Sequence, residues 1–244
     1  MITLGIDLSS QPQDTAACQI TWNADGSGRV SDPFTSQDDG KLDKLIKQSQ
    51  VIGIDAPLGW SRAFVNAVKQ WEQEEWNTKL RDELRFRQTD RFVFKIFKNR
   101  HLNLSPLSVS TDRIALPAMR AMALLKRHGV NNKSGDGRFY EVYPAGSLAM
   151  WGMRHTRYKG GKEDARKHRV EMLADLRQKL PTMTIPDVYA KTDHAFDALI
   201  ASLTTRLAAL GRTLNPDDVQ RESAKVEGWI HLPDAEGLFL GRFG

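Results

Sequence analysis

Met1–Ser10 reads MITLGIDLSS, and this stretch decides the fold. Ile2, Leu4 and Ile6 alternate with Thr3 and Gly5, the two-residue period of a strand. Asp7 then closes the apolar run, ahead of a Ser-Ser-Gln-Pro turn. A carboxylate at the end of a buried strand is costly to desolvate unless it is paired, hydrogen-bonded or bound to a metal. Val51–Pro57, VIGIDAP, repeats the arrangement, with Asp55 closing a second apolar run. Two strands that end on acids point to one site at the edge where a sheet terminates.

Working outward, Thr15–Trp22 (TAACQITW) is a second strand, and Asn23–Gly28 (NADGSG) is a hairpin turn centred on Asp-Gly. Gly28–Asp32 begins a short third strand. Asp38–Gln50 is a helix that starts at Asp38 or Asp39 and carries Leu42, Leu45 and Ile46 on one face. The Val51–Asp55 strand is too continuously apolar to be half exposed.

Ser61 is placed to cap a helix over Arg62–Trp76, whose apolar face is Phe64, Val65, Val68 and Trp71. Lys79–Arg100 follows, with eight Lys or Arg residues and Phe86, Phe92, Phe94 and Phe97 between them. A helix over Arg113–His128 ends at Gly129, with Pro117 near its start. Arg138–Tyr143 (RFYEVY) is a fifth strand carrying Glu141, and Pro144 opens a short helix to Trp151. Gly152–Gly161 is a basic loop expected to be mobile. Glu163–Leu180 and Lys191–Leu210 are helices, the second with a stripe of Phe196, Leu199, Ile200, Leu203 and Leu207. Val226–Leu232 is a last short strand. The expectation is an α/β fold: one mixed five-stranded sheet flanked by helices, a single domain over 1–244 with a basic helical insertion at about 62–130.

Composition narrows the class. The chain has 244 residues, 40% of them hydrophobic, and a mean hydropathy of −0.47, as a water-soluble domain requires. No apolar run approaches the roughly 18 residues that span a bilayer, and the N-terminus lacks the order of a secretory signal. A single cysteine, Cys18, excludes an internal disulfide and fits a reducing cytoplasm; in its strand it belongs to the core. The net charge of +5 favours anionic partners, nucleic acid among them.

If the first and fourth strands are parallel neighbours, about 4.8 Å apart, Asp7 and Asp55 end side by side. On the late helix, Asp193 and Asp197 lie four residues apart, about 40° around the axis, and share a face. Such a cluster of like charges is destabilising alone. Two Mg²⁺ or Mn²⁺ ions roughly 4 Å apart would stabilise it and bring phosphoryl chemistry with them. The histidines, His194 included, lack zinc-ligand spacing and read as structural or surface residues.

The order of an Asp-ended strand, hairpin, helix, second Asp-ended strand and late acidic helix resembles the ribonuclease H-like fold. Thr192–Leu199 (TDHAFDAL) resembles the terminal acidic helix of Holliday-junction resolvases in that superfamily. More closely, GIDLSS, GIDAPLGW, RQTDR, EVYPAGSL, DHAFDAL and EGWIHLP, which run from Gly5 to Pro233, resemble the family of unknown function numbered 429 (DUF429). That family is expected to be a ribonuclease H-fold nuclease. The resemblance implies Asp7 as the first-strand metal ligand, Asp55 as the fourth-strand acid and Asp197, with Asp193, as the final-helix acids. Ribonucleases H add a metal-binding Glu in the first helix. Here only Asp38, Asp39 and Asp43 stand there, and the resolvase branch does without that Glu. Glu141 lies in a family-like motif and is a further candidate ligand.

Each acid has a structural alternative: Asp7 bonded to its own turn, Asp55 capping one, Asp193 as an N-cap, Glu141 paired with an arginine of the basic segment. Arg87, Thr89, Asp90 and Arg91 form a candidate substrate contact, or else fix their own loop. The leading expectation is a Mg²⁺- or Mn²⁺-dependent nuclease. Its catalytic residues are Asp7, Asp55 and Asp197, its substrate is DNA or RNA, and it has no membrane partner. The alternatives are a phosphotransferase or nucleotide-binding protein of the actin and sugar-kinase class, and a non-catalytic binding module on the same fold.

Overall fold

A computed structural model of the chain describes residues 1–72 and 81–234. The far end of the helix expected over 62–76, and the first residues of the basic segment, lie outside the described residues. In chain order the elements are β1 (Ile2–Asp7), β2 (Ala16–Trp22), β3 (Gly28–Val30), α1 (Asp39–Lys47), β4 (Val51–Asp55), α2 (Arg62–Lys69), α3 (Arg81–Arg85), α4 (Gln88–Asn99) and α5 (Ala115–Arg127). Then come β5 (Phe139–Val142), α6 (Pro144–Met150), α7 (Glu163–Lys179), β6 (Met183–Thr184), a 3₁₀ turn at Asp187–Ala190, α8 (Asp193–Ala209), α9 (Arg221–Glu227) and β7 (Ile230–His231).

The sheet has seven strands, in the order β6-β3-β2-β1-β4-β5-β7. The sequence suggested five. Of the two edge strands, β6 holds two residues, too few for an alternating pattern to register, while β7, also of two residues, lies within the last short strand expected at Val226–Leu232. β1 lies in the middle of the sheet, antiparallel to β2 and parallel to β4. Antiparallel β1 and β2 beside a parallel β4 make this a ribonuclease H-like arrangement. The final strand is shorter than the sequence indicated, because α9 takes up residues as far as Glu227.

The described residues divide into two compact units, one of Met1–Asp55, Val142–Leu214 and 231–234, the other of 56–72 and 81–141 with Asn215–Ile230. The core of the first unit gathers around α8. Every residue of α8 from Ala195 to Ala208 is buried, as expected of a helix that is apolar nearly all round. Ile20 and Trp22 of β2, Leu176 of α7, Tyr189, Phe196, Leu199 and Leu203 share this core. Cys18 is buried in β2 with them, and burial pushes its thiol up to about 12.

Gly5 and Gly53 are cross-strand partners in the β1–β4 pair, and both lie directly under α8. A Cβ at Gly5 would stand 2.1 Å from the Ser202 amide nitrogen and 2.3 Å from the Ala198 carbonyl oxygen. A Cβ at Gly53 would stand 1.8 Å from the Thr205 hydroxyl. The two glycines therefore let the α8 backbone rest on the sheet. Residues two apart on a strand share a face, so Asp7 and Asp55 project on the side where α8 lies.

The second unit is mainly helical, with Val93, Phe97, Ala121, Leu124 and Leu125 in its interior. The face expected to anchor α2 is largely open: Val65, Val68 and Trp71 are exposed, and Ala67 is the buried residue. Ser61 occupies the N-cap position of this helix but makes no side-chain capping bond; its hydroxyl donates to the Glu83 carbonyl at 2.6 Å. Glu227 supplies the capping acceptor. Its two carboxylate oxygens accept from the Arg62 and Gln88 amides, each at 2.8 Å, at the starts of α2 and α4.

Candidate metal centre

Asp7 and Asp55 are register partners at the carboxyl ends of β1 and β4. α8 brings Asp197 to them, one turn into the helix, held down on the sheet by the contacts at Gly5 and Gly53. One carboxylate oxygen from each of the three lies within 4.8 Å of the other two. Among the described residues this is the group of acids placed to hold a cation. All three residues expected to be catalytic are thus brought together.

Asp197 is 2% exposed, and both its oxygens carry donors. The Tyr158 hydroxyl donates to Oδ1 at 2.8 Å, and Lys159 Nζ stands 2.7 Å from Oδ2. Burial and the Asp197 charge hold the Tyr158 phenol well above its ordinary range, so it stays a neutral donor. The Asp197 carboxylate also raises the Lys159 ammonium above its ordinary range, and Asp55 and Asp7 add to the effect. At the other end of the group, His194 Nδ1 stands 2.7 Å from Asp7 Oδ2. Burial pushes Asp7 up to about 6, and the Asp197 charge adds to it, while His194 and Lys159 act against the rise. His194 is itself raised, chiefly by its bond to Asp7. Burial pushes the Tyr143 phenol upward too, and the Asp55 charge acts in the same direction.

Three residues at this centre escaped the sequence reading: Tyr158, Lys159 and His194. The loop expected to be mobile is anchored. Tyr158 is 1% exposed, and the Gly160 amide donates to Asp193 Oδ2 at 2.9 Å. That bond is what Asp193 does here; Thr192 is the N-cap of α8, accepting from the Ala195 amide. A tyrosine and two glycines inside a basic loop were the available sign of a fixed turn.

The remaining candidates lie in the second unit. Arg87 is 1% exposed and its guanidinium bonds to Asp90 Oδ1 at 2.8 Å and to both Glu141 oxygens at 2.7 and 2.8 Å. The Leu58 amide also donates to Glu141, at 2.9 Å. Burial raises the Glu141 carboxyl, with Arg87 acting against it. Thr89 is buried, its hydroxyl accepting from the Ile230 amide at 2.8 Å. Asp90 accepts from the Arg87 amide at 2.9 Å. Arg87, Thr89, Asp90 and Glu141 therefore form an internal network. Arg91 is exposed and donates to the Asp82 carbonyl at 3.0 Å.

Comparison with curated proteins gives no significant match. Among solved structures the chain is similar to RuvC from Thermus thermophilus, over 86% of this chain and 97% of that one, at 11% identity and a TM-score of 0.38. The family model described as "Protein of unknown function (DUF429)" matches residues 5–221, from the first glycine of GIDLSS to beyond the end of α8. That span includes all three clustered aspartates, and the chain belongs to this family.

Proposed function

We propose that this protein is a metal-dependent phosphodiesterase that cleaves nucleic acid, with Asp7, Asp55 and Asp197 as its catalytic metal ligands. The observation that carries the reading is the convergence of three carboxylates from two parallel strand ends and a buried helix, with ligand atoms within 4.8 Å. The donor set is all carboxylate oxygen, which suits hard cations such as Mg²⁺ or Mn²⁺ rather than thiophilic metals. Such an ion, when bound, supplies Lewis-acid stabilisation of phosphate charge and a lowered pKa for water.

The chain's own residues prepare the site. Tyr158 fixes the orientation of Asp197. His194, whose side chain is 41% exposed, stands 2.7 Å from Asp7 Oδ2 and orients that carboxylate. Nucleic acid is the substrate class that suits a chain of net charge +5. The exposed Arg91, Lys95 and Lys98 of α4 are the basic groups of that segment assigned to phosphate contact.

The test is cleavage of end-labelled single-stranded, duplex and branched DNA, and of RNA, in Mg²⁺ or Mn²⁺, by the unaltered protein and by Asp55→Asn. Cleavage of at least one substrate by the former and none by the latter is expected. Equal cleavage by both would place the activity elsewhere. No cleavage, with a thermal shift from ATP, would favour the phosphotransferase reading.

A further inference from the structure

The three clustered carboxylates already face one fixed cation. Lys159 Nζ stands 2.7 Å from Asp197 Oδ2. The Lys159 side chain is 54% exposed, so solvent screens part of this attraction. Its backbone, however, is held from both sides. Arg169, 1% exposed, donates from Nη1 to the Tyr158 carbonyl at 2.6 Å and to the Gly160 carbonyl at 3.0 Å, the two carbonyls that flank Lys159. The same guanidinium donates to the Ala190 and Lys191 carbonyls at 3.1 Å each, just before α8. Together with Gly160–Asp193 and Tyr158–Asp197, these bonds tie the turn bearing Lys159 to the start of the helix bearing Asp197.

We infer that the Lys159 ammonium takes the place of a second divalent ion, so that the aspartate cluster binds one Mg²⁺ or Mn²⁺ and not two. The inference rests on the metal-dependent reading above. Its basis is charge and position. Metal binding requires ionised carboxylates, and the three of this cluster then carry three negative charges, which one divalent ion and one ammonium neutralise in full. Two divalent ions would leave the cluster with a net positive charge beside the Lys159 ammonium, whose backbone Arg169 anchors, and neighbouring like charges repel. An ammonium is a compact point charge with three donors, so it can serve a carboxylate oxygen as a metal ion would. Arg169 is then a positioning residue for Lys159.

The test is the count of Mn²⁺ bound per chain, by calorimetric titration and by the spin-resonance signal of the free ion, on the whole protein and on Lys159→Met, Lys159→Arg and Asp7→Asn. One Mn²⁺ is expected for the unaltered protein and for Lys159→Arg, two for Lys159→Met, and at least a tenfold weaker site for Asp7→Asn. Two ions on the unaltered protein would overturn the inference while leaving the metal-dependent reading intact. So would a folded Lys159→Met that still takes one. If Lys159→Met does not fold, the counts for the unaltered protein and Lys159→Arg decide the matter. No Mn²⁺ on the unaltered protein at millimolar concentration would overturn both.

Discussion

Asp7 sits between opposing influences. Burial and the nearby Asp197 charge favour its neutral form, while His194 and Lys159 favour the carboxylate, and the balance is a value of about 6 against an ordinary 3.8. In the metal-free protein the folded state therefore keeps a proton that the unfolded chain loses near 3.8. Between those two values the folded state binds more protons, so the contribution of Asp7 to stability is full below about 3.8 and is lost as pH rises to about 6. Metal needs the ionised carboxylate, so the melting rise produced by Mn²⁺ should grow through the same window. Asp7→Asn should flatten the metal-free pH dependence across it, keep or raise the metal-free melting temperature at pH 7, and abolish the Mn²⁺ rise. Thermal melts at pH 4 to 8, with and without Mn²⁺, check all three; an unchanged Mn²⁺ response in the variant would remove Asp7 from the metal site. The aspartates were legible in the sequence because each interrupts an apolar run or stripe, where a carboxylate needs a reason. Lys159 and His194 were not, because nothing local distinguishes them. Their roles come from Arg169, ten residues after Lys159, and from Asp7, at the opposite end of the chain.

Among the elements, α8 and the β1–β4 pair carry the site. α8 rests on glycines at matched register, and Thr3 and Ser202 add a buried hydroxyl–hydroxyl bond of 2.8 Å across the same contact. Gly5→Ala would drive a methyl group into the backbone at Ser202 and Ala198, both too close for any rotamer to relieve. The helix would have to lift, at a cost on the order of 3 kcal/mol, and Asp197 would leave the other two carboxylates. The variant should show both a lowered denaturation midpoint and a weakened Mn²⁺ response. Gly161→Ala is the control, since a Cβ there meets nothing within 4 Å and should leave the midpoint unchanged. A Gly5→Ala protein as stable as the parent would contradict the packing. Strand and helix limits along this part of the chain were readable to within a few residues, since periodicity and punctuation agree there. The α2 face was misread because amphipathic spacing says which residues share a side, not whether that side is covered. α9 and the short β7 were misread because Val226, Trp229 and Ile230 fit a strand until the helix from Arg221 claims the first of them.

Over the whole molecule, the surplus of positive charge is concentrated in one segment, and its residues fall into two kinds. Lys79–Arg100 carries eight basic residues against Asp82, Glu83 and Asp90. Sequence alone gave Arg87 and Arg91 the same standing. Arg87 is a buried member of an ionic network with Asp90 and Glu141, whereas Arg91, Lys95 and Lys98 are exposed. Removing one partner from a buried ion pair leaves uncompensated charge and costs about 3–5 kcal/mol. Arg87→Ala should therefore lower stability by that order and report nothing specific about ligand contact. Arg91→Ala with Lys95→Ala should leave stability within about 0.5 kcal/mol and act on binding instead. Each phosphate neutralised by a basic side chain releases counterion, so affinity falls with salt at a slope of about 0.7 to 0.9 per contact. If both residues touch phosphate, the double variant should flatten the salt dependence of single-stranded oligonucleotide binding by nearly two units. Fluorescence anisotropy across a salt series in Ca²⁺, chosen to limit cleavage, measures this slope directly. An identical slope in the double variant would remove α4 from substrate binding. Absence of binding by the parent protein at low salt would instead turn the aspartate centre toward small phosphoesters.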